Sequence, residues 1–575
     1  MILQALKEYY DRKAADPDGK VAPEGWEWKE IPFIVVLNDN GSLVQIEDTK
    51  EGDGAKKRGK VFLVPQGVKK TSGPKANLLW DTANYALGIP KAEQSEDEAR
   101  KQKNDFFIKK IIERIPDSAK KSALLKFLSE CGLDALKQTP QYADIAKSNP
   151  NVSFRFNGEL QLYCRSDEVI RALSTQADTT DANGLCLVTG KQDQISALHT
   201  AIKGVWGAQT SGSNIVSFNL DAFCSYGKKQ GFNAPIGKKA MFAYTTGLNM
   251  LLDRDSKQRM QIADASTVFW SDRKTRFEEN LSYYFAEPPK DDPDAGTRRI
   301  AELFSSVNNG AYVEDTGDER FFMLGLSPNA ARISVRFWRQ GTVAQFATNI
   351  KKHFEDLEIV KPESEPKYYS LWRLLVNIAI QDKSQNIPPN IAGDFMCSIL
   401  DGKPYPASLL QAALRRVKSD ADYRVKPVRA ALIKACLNRA NHNTKEVLKV
   451  ALDPNQQSIG YQLGRLFATL DKIQEEAMRD INSTIRDRYY GAACGSPSLV
   501  FPTLMRLKNH HLSKMDNKGR AVNLERLIGE IAGHFFAFPS RLTLDEQGRF
   551  AIGYYHQRQD FFKPKNEENN KRSDS

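Results

Sequence analysis

The sequence has 575 residues, of which 41% are hydrophobic and 27% are charged. This composition is typical of a folded, soluble protein with room for several domains, and it excludes a largely disordered chain. Lysine and arginine number 82 against 71 aspartates and glutamates, so the formal net charge is +11. That excess indicates a polyanionic partner, although a basic protein without such a partner would have the same composition.

The seven cysteines are dispersed along the sequence and never form a Cys-x-x-Cys pair. We therefore expect free thiols in a reducing compartment, in place of a disulfide framework or a structural zinc site. The first 13 residues mix apolar and charged side chains, which is not the pattern of a secretory signal. Because the sequence also has no apolar run of the ~18 residues that a membrane span needs, we expect a cytoplasmic protein. Neither a metal nor another cofactor is expected.

The first third of the sequence predicts mixed secondary structure. Residues 2–13 have the apolar spacing of one helical face. Two apolar segments joined by an Asp-Asn-Gly turn predict a β-hairpin over 31–48, and a further strand follows at 61–65. An Asn-Gly turn at Gly158 predicts a second hairpin.

A basic turn at 69–75 precedes a helix that is predicted to begin near Asn77. The first turn of a helix carries unpaired backbone N–H groups, which together with lysines and hydroxyls form a seat for anions. Lysine and asparagine side chains also donate to base edges. A flexible, solvated loop is the alternative for a lysine-rich turn.

The segment 204–252 is rich in glycine, small hydroxyls, asparagine and glutamine, and it ends in a helical pattern. Such residues allow close approach to a polar polymer, donate to phosphates and present flat faces to bases. Asp221 is its one acidic residue, and it contains no histidine that would activate a nucleophile. We therefore expect a surface that binds a polymer without cleaving it.

The remaining sequence predicts an α+β fold with two parts. Residues 266–357 predict the order strand, helix, strand, strand, helix, which resembles part of a ferredoxin-like sheet. After 362–366 the apolar spacing is helical, which predicts short-looped antiparallel helices. The expected organisation is a mixed N-terminal domain with β-hairpins over 1–360, an all-α bundle over 361–562 and a disordered tail over 563–575.

The sequence contains no recognisable catalytic motif. His510 and His511 are adjacent, so they do not match the i, i+4 spacing of a zinc-peptidase helix, and neither a phosphate-binding loop nor a nucleophile elbow occurs. We expect a protein that is not an enzyme. A nuclease with an unrecognised site and a purely structural adaptor remain alternatives.

Several separated segments carry a family resemblance. They include MILQALKEYY, GPKANLLWDTANYALG, IKGVWGAQTSGSNIVSFNLDAFCSYGKKQGFNAP, MLGLSPNAARISVRFW, TIRDRYYGAAC and IGYYHQR, in this order between residues 1 and 562. On these motifs the chain resembles the Csd-type large subunit of the type I-C CRISPR Cascade complex. The resemblance implies a non-catalytic subunit that recognises a short duplex motif beside the DNA target, the PAM. It also implies help in opening the duplex and in recruiting a separate helicase–nuclease.

The resemblance also implies the binding partners. These are the 5′ handle of the CRISPR guide RNA, the double-stranded DNA target, the backbone and guide-processing subunits of Cascade, and the helicase–nuclease; a membrane is not among them. A small subunit is expected from the same gene by internal initiation. The sequence leaves its start open, because no methionine lies between Met396 and Met478.

Three groups of residues fit these implied tasks. PAM recognition needs donors to base edges beside a seat for phosphates, and its candidates are Lys69, Lys70, Ser72, Lys75, Asn77, Ser211, Gly212, Ser213 and Asn214. The candidates for wedging or holding a separated strand are Tyr226, Lys228, Lys229, Gln230 and Asn233. A displaced strand is expected to follow a basic path on the bundle, with the candidates Arg486, Arg488, Arg506, Lys508 and Lys514.

Overall fold

The computed structural model describes most of the chain. The described ranges are 1–16, 21–52, 57–68, 70, 74–90, 103–175, 183–262, 264–285, 295–309, 318–420, 425–440, 447–478 and 483–562. The tail predicted over 563–575 lies outside them. The chain forms two compact units, one comprising Met1–Ile202 with Asn214–Asn249 and the other comprising Lys203–Ser213 with Met250–Ser575.

The first unit combines short strands with short helices. Its strands are β1 (Trp26–Glu30), β2 (Phe33–Leu37), β3 (Leu43–Asp48), β4 (Val61–Pro65), β5 (Trp80–Thr82), β6 (Asn151–Phe156), β7 (Asn183–Leu185) and β8 (Gln192–Gln194). Its helices are α1 (Ile2–Ala14), α2 (Ala83–Ala86), α3 (Asp105–Arg114), α4 (Ala119–Lys126), α5 (Gly132–Lys137), α6 (Tyr142–Ser148), α7 (Asp167–Thr175) and α8 (Lys238–Leu251).

A mixed sheet in the order β3-β2-β6-β5 forms the centre of this unit, with β2 and β6 parallel. All five residues of β2 are buried, as expected for a strand covered on both faces. The predicted hairpin is confirmed, since β2 and β3 pair antiparallel. Two smaller pairs, β1-β4 and β7-β8, complete the strands.

The second predicted hairpin is wrong. After the turn at Gly158 the chain does not return along β6, which pairs with β2 on one side and β5 on the other. Instead, Tyr163 and Cys164 are fully buried in a short 3-10 turn. The turn signal is local, whereas the path of the following segment is decided by burial of its apolar side chains in the core.

The second unit joins one sheet to many helices. Its strands are β9 (Arg259–Ile262), β10 (Ala265–Ser271), β11 (Arg320–Asn329) and β12 (Arg332–Thr342). Its helices are α9 (Arg276–Phe285), α10 (Ala295–Asn309), α11 (Val343–Asp356), α12 (Leu371–Ile378), α13 (Pro389–Asp401), α14 (Ala407–Ser419), α15 (Pro427–Ala440), α16 (Ile459–Ala477), α17 (Ile485–Gly495), α18 (Pro497–Lys514), α19 (Lys518–Ala532) and α20 (Leu544–Asp560).

The sheet of this unit differs from the ferredoxin-like arrangement. The predicted order of elements is present, but the strands follow one another as an antiparallel meander, β9-β10-β11-β12. In the described part of the segment between β10 and β11 there are two helices, α9 and α10, and the two strands pair directly and antiparallel. A split βαβ unit would instead hold two parallel strands on either side of a third. The sequence had predicted only α10. With α9 as well, the chain runs along the sheet and back before β11 begins, so β11 can pair antiparallel with β10.

The C-terminal helices are confirmed, and the fold class is α+β. The hydrophobic core, however, is continuous from the sheet into these helices: Phe346 on α11 belongs to the same buried cluster as Phe395 on α13 and Leu466 on α16. The predicted boundary at residue 360 therefore falls within one core, and the structure divides near 250. Within the described ranges, every helix is too short or too polar to cross a bilayer.

A buried histidine makes this core sensitive to acid. His353 is fully buried, its Nδ1 lies 2.6 Å from the Tyr405 hydroxyl, and burial, followed by the charge of Arg439, holds its pKa well below the ordinary value. Only the unfolded chain gains a proton there below about pH 6.5. The free energy of unfolding should therefore be insensitive to this group above about pH 6.5 and fall as the pH is lowered further.

Denaturant titrations at a series of pH values test this expectation. His353→Gln should flatten the acid limb, whereas His534→Gln, which replaces an exposed histidine, should leave it unchanged. An equal acid dependence in the wild type and in His353→Gln would contradict the assignment.

Candidate nucleic-acid interface

One buried carboxylate contacts both Lys70 of the basic turn and the backbone of Asn77 that follows it. Both side-chain oxygens of Asp81 accept hydrogen bonds from Lys70 Nζ, at 2.6 and 2.8 Å, and Oδ2 also accepts from the backbone N–H of Asn77 at 2.8 Å. The Asp81 side chain is only 2% exposed. Lys70 Nζ also lies 3.7 Å from the centre of the Tyr85 ring, which is a cation–π contact. Burial, and then the charge of Asp81, raise the pKa of Tyr85.

The helix predicted to begin near Asn77 is wrong. Residues 74–79 are irregular, β5 follows, and α2 is a single turn. The Asn77 side chain is buried, and its Oδ1 accepts from the N–H of Val68 at 3.0 Å. A further contact joins Lys110 Nζ to the carbonyl of Ala76 at 2.7 Å. Side chains thus bond to the backbone at Val68, Ala76 and Asn77. In the described residues, an anchored loop replaces the anion seat expected at a helix N-terminus.

We call the described residues 66–68, 70 and 74–77 the anchored loop, and the candidates have different environments. Lys75 is exposed, the side chain of Lys70 is 30% exposed and paired with Asp81, and the side-chain oxygen of Asn77 accepts a bond from within the loop. Lys69 and Ser72 lie outside the described residues. Among the described candidates of this loop, Lys75 therefore offers its charge at the surface, whereas the charge of Lys70 is paired with Asp81.

The candidates at 211–214 differ in exposure. Ser211 is exposed, and Gly212 has a φ of +92°, a value that favours glycine. Ser213 is 1% exposed. Asn214 is partly buried, and its Nδ2 donates to the carbonyl of His199 at 3.0 Å. Ser211 and the backbone at Gly212 are therefore the accessible parts of this group.

The segment 225–233, here called the display loop, is folded around Asn233. Its side-chain Oδ1 accepts from the N–H of Ser225 at 2.9 Å, and its Nδ2 donates to the carbonyls of Lys228 (3.2 Å) and Gln230 (3.0 Å). These bonds close the loop and leave Tyr226 98% exposed. Lys228, Lys229 and Gln230 are exposed as well. Four of the five predicted strand-holding side chains thus face solvent, and the fifth organises the loop.

The candidates on the bundle divide into two groups. Arg488, Arg506 and Lys514 are exposed. Lys508 is 11% exposed and pairs with Glu525 at 2.9 Å. Arg486 is partly buried: burial lowers its pKa, but Tyr554 and Asp471 outweigh burial and raise it above the ordinary value. The structure therefore offers three of the five cations to a partner and holds two in internal contacts.

Sequence reasoning missed Asp81, the residue that binds both Lys70 and the backbone of Asn77. Its signal was present, because Asp81 is an isolated acid in an otherwise uncharged segment, NLLWDTANYALG, shortly after a lysine cluster. An acid in that position is unfavourable when buried unless cations or N–H groups surround it. It therefore indicated that part of the lysine cluster folds back onto the chain.

The described residues define an α+β protein with exposed cations and aromatic side chains on loops of one unit and on a helical bundle in the other. Among them, no group of three or more His, Cys, Asp and Glu side chains is placed to hold a metal ion.

One family model, CRISPR-associated protein (Cas_Csd1), matches residues 6–562, nearly the whole chain. The chain therefore belongs to the Cas_Csd1 family and is a CRISPR-associated Cascade subunit, which confirms the family predicted from its motifs. A comparison with curated proteins finds no match.

Proposed function

We propose that this chain is the non-catalytic large subunit of a type I-C RNA-guided surveillance complex and that it recognises the PAM in duplex DNA. The observation that carries this proposal is the anchored loop. Asp81 holds its backbone at Asn77, the Asn77 side chain holds it at Val68, and Lys75 is exposed at the surface. Recognition of a short motif needs donors held in a defined position, since phosphate contacts set the register and base contacts read the sequence.

The display loop supports a second step, in which a strand is held after the duplex opens. An exposed tyrosine beside two lysines offers a stacking face and a seat for phosphates. Opening a duplex while the guide pairs with one strand is nearly balanced in free energy, so binding contacts are sufficient and no nucleotide hydrolysis is needed.

The bundle completes the proposal as a path for the displaced strand. Arg488, Arg506 and Lys514 supply the exposed charge, and Arg486 and Lys508 stabilise the bundle itself. The guide-RNA handle, the other Cascade subunits, the small subunit from the same gene and the helicase–nuclease are the proposed partners, in the cytoplasm.

Duplex binding by the reconstituted guide-RNA complex, with and without this chain, tests the function. A library of flanking trinucleotides beside one target should reveal flank-dependent binding only when the chain is present. Flank-blind binding in both cases would leave the chain a structural adaptor. Cleavage of DNA by the purified chain that a chelator abolishes would instead favour a nuclease.

Lys75→Ala tests the anchored loop. If Lys75 contacts a phosphate, its loss should weaken duplex binding by a similar factor for all flanks and lower the slope of log affinity against log salt by about 1. Binding isotherms at four salt concentrations measure both quantities. Lys147→Ala removes another exposed lysine from the same unit and should preserve the slope. An unchanged slope in Lys75→Ala would remove this residue from the interface.

A further inference from the structure

A small cavity lies beside the display loop in the first unit. Its volume is about 140 Å³. Its apolar lining includes Leu198, Val216 and Phe218, and its polar lining includes Ser217 and Gln230 beside His199, Asn214 and Asn219. Apolar walls with a few polar groups are typical of sites that take a flat, polar-edged ring.

The walls of this cavity are held by contacts within the unit. The N–H of Gly231 donates to the carbonyl of Ala197 at 2.9 Å. A Cβ at Gly231 would overlap the carbonyl oxygen of Ser196, so the two segments are as close as glycine allows. On the other side, His199 is buried and its Nδ1 lies 2.5 Å from the hydroxyl of Tyr244 on α8. The cavity is therefore built before any ligand enters.

Gln230 connects the cavity to the display loop, because it lines the cavity and directly follows Lys228 and Lys229. Consecutive Cα atoms are about 3.8 Å apart, so the Lys229 backbone adjoins the lining. Tyr226, at 98% exposure, stands four residues before Gln230. No acidic residue occurs in the display loop. The charge beside this cavity thus suits a ligand that carries phosphate.

The volume limits that ligand to one ring. Sites for ligands the size of a nucleotide or a drug usually exceed about 300 Å³, roughly twice this cavity. A base fits this limit only if its sugar and phosphate remain outside, where the two lysines lie. Proteins that act on single strands commonly take an unstacked base into such a pocket and read its edge by hydrogen bonds.

We propose that this cavity receives one unstacked nucleobase of the DNA strand that the display loop holds. This inference rests on the proposed function, because it requires a separated strand. Phe218 and Val216 contact the faces of the ring, Ser217 and Gln230 bond to its edge, and Lys228 and Lys229 neutralise the flanking phosphates. The captured base prevents the strand from pairing again.

Ser217→Trp fills the cavity and is combined with a scan of DNA targets in which single nucleotides are abasic. With the wild-type complex, one abasic position should weaken binding about tenfold, the usual loss for one stacked base. Ser217→Trp should weaken binding of intact DNA by a similar factor, and the abasic change should then cost nothing more. Ser148→Trp, at an exposed position on α6, should behave as the wild type at every abasic position.

The outcomes separate this inference from the function on which it rests. The cavity assignment alone would be overturned if flank-dependent binding persisted but every abasic position weakened binding equally in the wild type and in Ser217→Trp. A cavity that takes a protein side chain would give this result. If Ser217→Trp removed the effect of an abasic position in the guide RNA, and of none in the DNA, the assignment to DNA would be overturned. If the wild-type complex showed no flank-dependent binding, both proposals would be overturned.

Discussion

Gly464→Ala is expected to destabilise the second unit by about 3 kcal/mol, the upper range for overpacking. Gly464 lies on α16 against α20. A Cβ there would overlap the carbonyl oxygen of Phe550 and lie 2.8 Å from the backbone nitrogen of Tyr554. Gly553 on α20 meets the carbonyl of Tyr461 in the same way. Because the obstacles are backbone atoms, no side-chain rotation relieves the overlap and the two helices must separate.

Separation of these helices would also loosen an aromatic cluster. The ring of Phe467 lies 5.9 Å from that of Phe550 and 6.0 Å from that of Tyr554, and Tyr490 contacts the same two rings at 5.5 and 5.4 Å. Aromatic pairs contribute about 0.5–1.5 kcal/mol each beyond burial. Several are weakened together if α20 moves away from α16.

Gly529→Ala is the matched control for this prediction. Gly529 lies on α19 with open space around its Cα, so alanine should stabilise by up to about 1 kcal/mol through helix propensity alone. Denaturant unfolding of the two variants should therefore change in opposite directions. Equal stabilisation of both would show that α16 and α20 are farther apart in solution.

The elements that the sequence predicted correctly are those set by local pattern. The hairpin β2-β3 follows from two apolar segments and one turn, and the C-terminal helices follow from apolar spacing. Even the α16–α20 contact had a local signal, because Gly460 and Gly464 are one helical turn apart on one face. The second hairpin, the sheet order and the boundary near residue 250 depend on which distant segments bury each other, which a local pattern does not contain.

The candidate site was predictable as a region and not as a set of side chains. Charge alone does not separate Lys75, which is exposed, from Lys70, which is paired to Asp81. On the bundle, Lys508 is neutralised by Glu525 from the next helix. Each pairing depends on the fold, so the sequence overestimates the number of cations offered to a polyanion. The cavity beside the display loop had no sequence signal, because Ser217 becomes part of it only after residues 196–199 and 230–231 pack together.

Asp81→Ala is expected to weaken flank-dependent DNA binding about tenfold in the reconstituted complex, although it removes a negative charge. Long-range electrostatics alone would predict tighter binding to DNA after such a change. The positions of its neighbours predict the opposite. Without the carboxylate, the N–H of Asn77 loses its acceptor, and Lys70 loses the contact that orients it over Tyr85. A buried N–H without a partner costs about 1–3 kcal/mol, so the anchored loop should rearrange.

The sign of the change in affinity is therefore the decisive measurement, and Asp134→Ala supplies its control. Asp134 is 88% exposed, so its removal changes the charge equally without disturbing a buried contact. Asp134→Ala should bind DNA as tightly as the wild type or slightly more tightly. In Asp81→Ala, the affinity for DNA without the recognised flank should decrease less than the affinity for DNA that carries it, because phosphate contacts outside the anchored loop remain. Tighter binding in both variants would mean that Asp81 acts through its charge, and that the position of the anchored loop does not determine recognition.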